Sequence, residues 1–322
     1  MSSHIQSASS PLQPINLPEF SRHQLNVYIK RDDLIHPIIS GNKWRKLKYN
    51  ILAAKQQGAS SIISFGGAYS NHIHVLAYAC NQQKIGCIGV IRGEPHYANN
   101  FTLQWAQHWG MKLHFVDRQT YRLRQEKDFQ QQLLQQYPSA FLVPEGGSNQ
   151  QALIGVGEVI AEIDNTIKSD YLLTPVGSGG TIAGLIKADN NRKKIIGVSV
   201  LKQDGYLEQE INQLLDADEQ TPSAKFNNWH LVNDQHLGGY GKFSQADAIA
   251  ISELSKRLTV PLEPIYSGKM MLAFMNLVKQ GYFPAGATIV LLHTGGIQGL
   301  GGLHERGLID PSLFLKPLGH QL

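Results

Sequence analysis

The feature that most constrains the fold of this chain is a regular alternation of strand-like and helix-like segments from residue 43 onward. Short apolar runs, such as residues 61–65, are followed by glycine turns and then by segments with apolar residues three and four positions apart. Such alternation predicts parallel strands joined by crossover helices, and therefore an α/β protein. A Gln-rich segment over about residues 120–137 is also predicted to form one helix.

The length of the chain indicates two domains. Its 322 residues exceed a typical single domain, and its 31 glycines suit a fold with many tight turns between strands and helices. Two runs of strand–helix units meet near residues 160–170. We therefore expect two α/β domains with a cleft between them.

The composition argues against several other classes of protein. The formal net charge is +4, and the densest basic run, within residues 118–127, is typical of a solvated helix face, so no nucleic-acid partner is expected. No signal peptide and no apolar run of the roughly 20 residues that span a bilayer is visible, so we expect a cytoplasmic protein without membrane contact. Cys80 and Cys87 are too few for a structural zinc site, and the histidines lack ligand spacing, so no metal is expected.

A glycine loop at residues 175–181 is the first candidate binding site. It consists of Pro175, Val176, Gly177, Ser178, Gly179, Gly180 and Thr181. Glycines between a strand and a helix leave backbone N–H groups open to an anion, and the helix dipole adds roughly half a positive charge. No Lys-Ser/Thr pair follows the last glycine, and Ile182 occupies the third glycine position of a dinucleotide fingerprint. The loop predicts a phosphate site, with a simple tight turn as the alternative.

Lys43 is the candidate nucleophile. It follows Gly41 and Asn42 at the start of a helix, where a solvated lysine is the simpler interpretation. A buried lysine, in contrast, has a lowered pKa and attacks aldehydes. Lys46 and Lys48 lie on the same helix, so spacing alone does not choose among the three lysines.

Two polar residues after the glycines at 66 and 67 are candidate ligands. Ser70 and Asn71 either cap a helix or receive a carboxylate or another oxygen at its N-terminus. The neighbouring His72 and His74 are interpreted as surface or packed histidines. Ligands of open α/β sheets bind at the carboxyl ends of strands, which is where three loops are predicted: residues 66–72, 177–181 and 294–296. We therefore expect these loops to meet at one site.

Together these residues resemble the family of 1-aminocyclopropane-1-carboxylate (ACC) deaminases and D-cysteine desulfhydrases. Residues 41–43, Gly-Asn-Lys, followed by Arg-Lys-Leu at 45–47, are similar to the cofactor-lysine motif of that family. The resemblance implies pyridoxal 5'-phosphate as cofactor and a two-domain, three-layer αβα fold of the tryptophan-synthase-β type (fold type II). It also implies a larger domain and a smaller inserted domain, which comprise residues 1–46 with 166–322 and residues 47–165.

The resemblance gives roles to the candidate residues. Lys43 bonds to the cofactor and, once released, is the candidate base for the substrate's α-proton. Ser70, Asn71 and His72 receive the substrate carboxylate, and Asn71 also contacts the ring oxygen of the cofactor. The phosphate is held by Gly177, Ser178, Gly179, Gly180 and Thr181.

Residues near the C-terminus complete the implied site. Tyr240, Tyr266 and Ser70 are candidates for proton transfer. Thr294 takes the pyridine nitrogen, as in D-cysteine desulfhydrases, whereas ACC deaminases place a glutamate at the position of Ser267. A neutral hydroxyl does not favour a protonated pyridine as a carboxylate does, and this setting suits β-elimination.

The predicted function is therefore β-elimination of D-cysteine or a related small amino acid to pyruvate, ammonia and sulfide by a homodimeric enzyme. An ACC deaminase that gives 2-oxobutanoate is the alternative. A noncatalytic ligand-binding relative is a third option, against which the presence of the implied catalytic residues argues. The chain departs from the family pattern at Trp44, Tyr69 and His74, and the last two are predicted to lie near the substrate.

Overall fold

The structure, a computed structural model, describes residues 9–39, 41–203, 205–217 and 222–314. Ser40, which precedes the Gly-Asn-Lys motif at residues 41–43, lies outside these ranges. The strands of the described residues are β1 (Leu12–Ile15), β2 (Asn26–Arg31), β3 (Ser61–Gly67), β4 (Gly86–Arg92), β5 (Met111–Val116), β6 (Ala140–Val143), β7 (Tyr171–Val176), β8 (Lys194–Ser199), β9 (Trp229–Val232) and β10 (Thr288–His293).

The α-helices of the described residues are α1 (Pro18–Arg22), α2 (Asn42–Gln56), α3 (Asn71–Gln82), α4 (Phe101–His108), α5 (Arg118–Arg122), α6 (Lys127–Gln136), α7 (Gln150–Asp164), α8 (Gly180–Asp189), α9 (Tyr206–Asp216), α10 (Gln245–Leu258), α11 (Ser267–Lys279) and α12 (Gly299–Glu305). Short 3₁₀ helices cover Asp32–Leu34, Pro95–Asn99, Leu123–Gln125, Glu145–Gly147, Ser223–Lys225 and Pro311–Leu313. None of the helices in these ranges is both long enough and apolar enough to cross a bilayer.

The strands form two sheets. The larger sheet has the order β1-β2-β10-β7-β8-β9, and the smaller has the order β5-β4-β3-β6. Neighbouring strands are parallel throughout, except that β1 runs antiparallel to β2. Parallel strands require crossover connections, which the intervening helices supply. The predicted α/β fold is confirmed.

Each sheet is covered by helices on both faces, because successive residues of a strand point to opposite sides. In β10, Ile289 and Leu291 pack with α10 and α11, whereas Val290 and Leu292 pack with α7, α8 and α9. The smaller sheet is enclosed in the same way, by α2, α3 and α4 on one face and by α5 and α6 on the other. The result is the expected three-layer αβα arrangement.

One of the proposed domain boundaries divides a helix, and the other separates a helix from the sheet whose core it joins. The smaller sheet uses strands from residues 61–143, and the larger sheet uses strands on either side of that segment. Helix α2 is continuous across residues 46 and 47, and α7, which lies before residue 165, contributes its apolar face to the core of the larger sheet. The division at 46/47 and 165/166 remains a proposal.

The Gln-rich segment departs from its prediction. It is not one helix over 120–137 but two, α5 and α6, which are separated by a 3₁₀ turn and by Glu126 in an extended conformation. The Tyr121 hydroxyl and Arg124 Nε both donate to the carboxylate of Glu145, at 2.7 and 2.6 Å. These tertiary contacts fix the local backbone, and they override the helical propensity of the glutamines.

Candidate active site

A cavity of about 750 Å³ lies at the carboxyl ends of β3, β7 and β10, where the three predicted loops meet. Cavities of this size hold small cofactors and their substrates. Its wall contains Lys43, Ser70, Asn71, His72, Gly177, Ser178, Gly179, Thr181, Tyr240, Tyr266 and Thr294. Of the predicted site residues, only Gly180 is absent from the wall, because it is buried at the start of α8.

The structure separates the three lysines of α2. Lys43 and Lys46, one helical turn apart, both line the cavity. Lys48 instead forms an ion pair with Glu158 of α7. Burial lowers the pKa of Lys43 from 10.5 to about 8, which raises the fraction of free amine at neutral pH. Lys43 thus has the environment of a nucleophilic lysine, whereas Lys48 does not.

Lys46 faces the glycine loop. Its side chain is 1% exposed, and Nζ donates to the Gly146 carbonyl oxygen at 3.2 Å and to the hydroxyls of Ser148 and Ser178 at 3.0 and 3.3 Å. Burial, together with the charge of Lys43, holds the pKa of Lys46 well below its usual range. None of these three partners of Nζ is a carboxylate, so the cost of burying the charged form of Lys46 is not offset by them. An anion beside Ser178 would therefore bind favourably.

The glycine loop has the geometry of a phosphate site. Gly179 has φ +74°, which L side chains rarely adopt, and it lets the chain turn directly into α8. A Cβ at position 180 would lie 2.5 Å from Ser148 Oγ and 3.0 Å from Lys46 Nζ. The absence of a side chain at Gly180 thus brings Ser148 and Lys46 close to the loop, and together with the N-terminus of α8 they offer donors to an anionic group. The phosphate of pyridoxal phosphate fits these residues.

Helix α2 is fixed to this loop and to β10 at its first residues. Asn42 Nδ2 donates to Thr181 Oγ1 at 2.8 Å, and the Asn42 backbone N–H donates to the Thr294 carbonyl at 3.3 Å. At Gly41, with φ +77°, a Cβ would lie only 1.9 Å from that same carbonyl oxygen. The approach of the two backbones thus requires glycine, and it sets the position of Lys43.

A buried cluster of charges holds α2 from the opposite side. Arg45 donates to both carboxylate oxygens of Asp32, at 2.6 and 2.8 Å, and to both of Glu162, at 2.8 and 2.9 Å. Lys30 forms a further ion pair with Glu162 at 2.6 Å. Removing one member would leave buried charge uncompensated, so the cluster fixes the helix that carries Lys43.

The loop after β3 presents Ser70 and Asn71 to the cavity. Ser70 caps α3 by accepting a hydrogen bond from Ile73 N at 3.4 Å, as the helix-cap interpretation predicts. Asn71 lies beside Gly296, where a Cβ would be 3.0 Å from its Nδ2. His72 is 2% exposed and is bonded through Nε2 to Ser64 Oγ at 2.8 Å, with burial lowering its pKa. An anion in the cavity would therefore be bound through the α3 N-terminus rather than by a charged imidazole.

The two predicted tyrosines are in contact. The Tyr266 hydroxyl donates to the Tyr240 hydroxyl at 3.3 Å, and Lys43 Nζ lies 5.8 Å from the centre of the Tyr266 ring. Burial raises the pKa of Tyr266 well above its usual value, so this hydroxyl keeps its proton at neutral pH. The carboxylate of Glu263 accepts from the backbone N–H of Tyr266 at 2.9 Å, and Lys269 Nζ donates to the Gly239 carbonyl at 2.7 Å beside Tyr240.

Thr294 and Ser267 occupy different surroundings. Thr294 lines the cavity, whereas Ser267 is fully buried and does not. Ser267 Oγ accepts from the Glu263 N–H at 3.0 Å and lies 3.1 Å from the Glu263 carboxylate. Of the two hydroxyls that distinguish the chain from ACC deaminases, Thr294 is therefore the one available to a ligand.

The positions that depart from the family pattern differ in their access to the site. Tyr69 lines the cavity, as predicted. The expectation that His74 lies near the substrate is wrong, because it is 4% exposed and packs edge-on against Trp109 at 4.8 Å between ring centres. Trp44 is 4% exposed within the apolar core of the smaller sheet. Trp44 on α2 and His74 on α3 therefore lie outside the cavity wall.

Sequence reasoning missed charged residues on the elements of and around the smaller sheet. Arg92, Arg124 and Glu145 all line the cavity. Arg92 is the last residue of β4, whose carboxyl end joins the same edge of the sheet as that of β3. Because ligands of open α/β sheets bind at the carboxyl ends of strands, the position of Arg92 at the end of β4 was a signal of the same kind as the glycine loops. No set of three or more histidine, cysteine or acidic side chains in the described residues is arranged to hold a metal ion.

Comparison with known proteins gives consistent matches. A family model described as pyridoxal-phosphate-dependent enzyme matches residues 7–295. The chain is 27% identical over 294 residues to a protein of Pyrococcus abyssi provisionally named an ACC deaminase, with 88% of each chain covered. It is 26% identical over 317 residues to the D-cysteine desulfhydrase of Klebsiella pneumoniae, covering 92% of this chain and 94% of that one. The crystal structure of an ACC deaminase homologue aligns with TM-score 0.81 and 26% identity, over 96% of this chain and 95% of its own.

Proposed function

The chain belongs to the family of pyridoxal-phosphate-dependent enzymes, and we propose that it catalyses β-elimination from a small amino acid, D-cysteine or a related compound, to pyruvate and ammonia. Pyridoxal phosphate, its cofactor, supplies an aldehyde and an electron-accepting ring when bound. The relatives named for D-cysteine desulfhydrase and ACC deaminase activity support a lyase or deaminase acting on small amino acids.

The observation that carries the proposal is the placement of Lys43. It lies in the cavity wall together with the glycine loop and Ser70, and burial lowers its pKa to about 8. A lysine amine with this pKa is partly unprotonated at neutral pH, as both a nucleophile and a base must be. We assign Lys43 as the residue that bonds to the cofactor and then takes the α-proton of the substrate.

The remaining residues would bind and orient the cofactor and the substrate. Lys46 and the loop from Gly177 to Thr181 would hold the cofactor phosphate, and Thr294 would face the pyridine nitrogen. Ser70 and Asn71, at the N-terminus of α3, would receive the substrate carboxylate. The hydroxyls of Tyr240 and Tyr266 form a hydrogen-bonded pair, and burial keeps Tyr266 protonated, so the pair would donate a hydrogen bond to the leaving group.

The test is Lys43→Ala beside Lys48→Ala. Lys43→Ala should lose the visible absorbance band of cofactor bonded to lysine, together with turnover. Lys48→Ala removes an amine of the same helix outside the cavity and should keep both. Retention of the band and of turnover in Lys43→Ala would overturn the assignment. Pyruvate with sulfide from D-cysteine would support the proposed reaction.

ACC deaminase activity is the second candidate, because the Pyrococcus relative is provisionally named for it. The same purified enzyme should be given ACC, and release of 2-oxobutanoate measured. Thr294, whose hydroxyl is neutral, lines the cavity, and a neutral partner of the pyridine nitrogen favours elimination because it does not stabilise a protonated pyridine as a carboxylate does. Faster turnover of ACC than of D-cysteine would reverse this ranking.

A further inference from the structure

Arg92 stands beside the loop that we assign to the substrate carboxylate. It ends β4 and is paired in register with Gly67, the last residue of β3. Its Nη2 reaches over that neighbour, to 3.5 Å from the place of a Cβ at Gly67. From Gly67 the chain leads in three residues to Ser70, so the guanidinium lies along the same wall of the cavity.

Arg92 is exposed, and no carboxylate of the described residues lies within ion-pair distance of it, whereas the neighbouring Arg124 contacts Glu145 at 2.6 Å. Both guanidinium groups lie over the ring of Tyr121, at 5.5 Å for Arg92 and 5.1 Å for Arg124. Contact with an aromatic face orients a guanidinium and leaves its N–H groups free to bind an anion.

The cavity carries more cations than the proposed reaction uses. Among the described residues, its wall contains two acidic side chains, Glu145 and Glu210, and five lysine or arginine side chains, Lys43, Lys46, Arg92, Arg124 and Arg306. The two lysines are assigned to the cofactor, and Arg124 is paired. Arg306 lies over the ring of Tyr69 at 5.2 Å. Arg92 and Arg306 therefore remain as cations whose function the cofactor and α-carboxylate do not explain, and Arg92 is the one whose charge acts on the Tyr240 hydroxyl.

Arg92 shares the cavity with the two tyrosines that we assign to the leaving group. Tyr240 is half exposed at the cavity wall, and its hydroxyl accepts from the Tyr266 hydroxyl at 3.3 Å. Desolvation raises the pKa of the Tyr240 hydroxyl, and the charge of Arg92 is one of the influences that lower it. A substrate side chain in this cavity would therefore have both the guanidinium and the tyrosine pair in its wall.

We propose that Arg92 binds a second anionic group on the side chain of the substrate. The preferred substrate would then be an amino acid with a carboxylate, sulfonate or phosphate at or beyond its β-carbon, which a guanidinium recognises through two parallel hydrogen bonds. This inference rests on the proposed elimination. With O-phosphoserine, the α-proton goes to Lys43, the Cβ–O bond breaks with its electron pair on phosphate, and Cα=Cβ forms. Overall, O-phosphoserine and water give pyruvate, ammonia and phosphate.

Calorimetric binding to the holoenzyme separates a side-chain anion from the α-carboxylate. Succinate carries two carboxylates and butyrate carries one, and neither is turned over. Arg92→Gln should weaken succinate by about tenfold and leave butyrate within about twofold. Arg92→Lys should recover part of the loss, because it keeps the charge without the paired N–H groups. Arg122→Gln, an exposed arginine of α5 outside the cavity wall, should change neither affinity.

Two results would overturn the proposal. Equal weakening of both ligands would place Arg92 at the α-carboxylate, and no weakening of succinate would leave it without a substrate role. A turnover experiment compares O-phosphoserine with β-chloroalanine, as both enantiomers. Arg92→Gln should lower kcat/KM about tenfold for the phosphate ester alone. If the wild-type enzyme turns over neither compound nor D-cysteine, the proposed elimination fails, while the calorimetry still decides the role of Arg92.

Discussion

Lys46→Met removes a buried cation from the glycine loop while keeping an unbranched side chain of similar length. The wild-type amine donates to the hydroxyls of Ser148 and Ser178 and to the Gly146 carbonyl, and its pKa is held low by burial. After the substitution the two serine hydroxyls still bond to each other at 2.9 Å. Without cofactor, relief of the desolvation cost therefore offsets the lost contacts, and unfolding free energy should change by less than about 1 kcal/mol.

With cofactor, the same substitution should be costly. A hydrogen bond between a cation and phosphate contributes about 1.5–3 kcal/mol, which corresponds to a Kd for pyridoxal phosphate about 10- to 150-fold higher in Lys46→Met. Binding of the phosphate raises the pKa of Lys46 from its low value, so binding takes up a proton between the free and bound pKa values. Wild-type affinity should accordingly fall as pH rises through that window, and the variant should lack this dependence.

The assay is titration of cofactor-free protein with pyridoxal phosphate, followed by absorbance, and in parallel with pyridoxal, which lacks the phosphate. Lys48→Met is the matched control, because its ion pair with Glu158 is partly exposed and contributes about 1 kcal/mol or less to stability. Lys46→Met should differ from it with pyridoxal phosphate and not with pyridoxal. An unchanged Kd, or equal losses for both cofactor forms, would refute the assignment of Lys46 to the phosphate.

Two further predictions concern the anchoring of α2. Burial opposes ionisation of Glu162, but the hydrogen bonds and charges of Arg45 and Lys30 outweigh it and lower its pKa from 4.5 to about 2. The stabilisation from ionised Glu162 is present above pH 4.5 and is lost as pH falls toward 2. The free energy of unfolding of Glu162→Gln, measured with denaturant, should therefore be about 1–3 kcal/mol lower than that of the wild type at pH 7, and the difference should be smaller at pH 3. Gly41→Ala should cost more than about 2 kcal/mol and impair cofactor binding, since its Cβ meets the Thr294 carbonyl. Gly58→Ala, at φ +69° with open space around it, should cost about 1 kcal/mol and leave the cofactor Kd unchanged.

The parts of the fold that follow apolar periodicity were predictable from the sequence. The last strand, Thr288–His293, is an example, because it is buried on both faces and apolar for nearly its whole length. Strand β2 gave a weaker signal, since it ends in Lys30 and Arg31, whose charges look like a surface pattern. Their burial depends on carboxylates brought from Asp33 and Glu162, and sequence periodicity does not report such partners.

The candidate site shows the same limit. The glycine loop and Ser70 could be located, because a turn into a helix has a local chemical cause that the sequence displays. The choice between Lys43 and Lys46 could not be made from spacing, because both lie on one face of α2 and differ only in what the rest of the fold places opposite them. Arg92 was missed for a related reason: a strand-terminal arginine is usually solvated, and only the neighbouring loop makes it part of a cavity.

Helical geometry explains why the lysine motif occupies consecutive residues. Lys43 and Lys46 share the face of α2 that borders the cavity, and Trp44 and Leu47, also three apart, share the face in the core of the smaller sheet. Arg45 points toward the larger sheet, where its donors contact four oxygens of two carboxylates. A lysine at that position has only a point charge and would leave part of the cluster unpaired. The motif therefore packs three faces of α2 against three different parts of the fold. A substitution on any of these faces would displace the amine of Lys43.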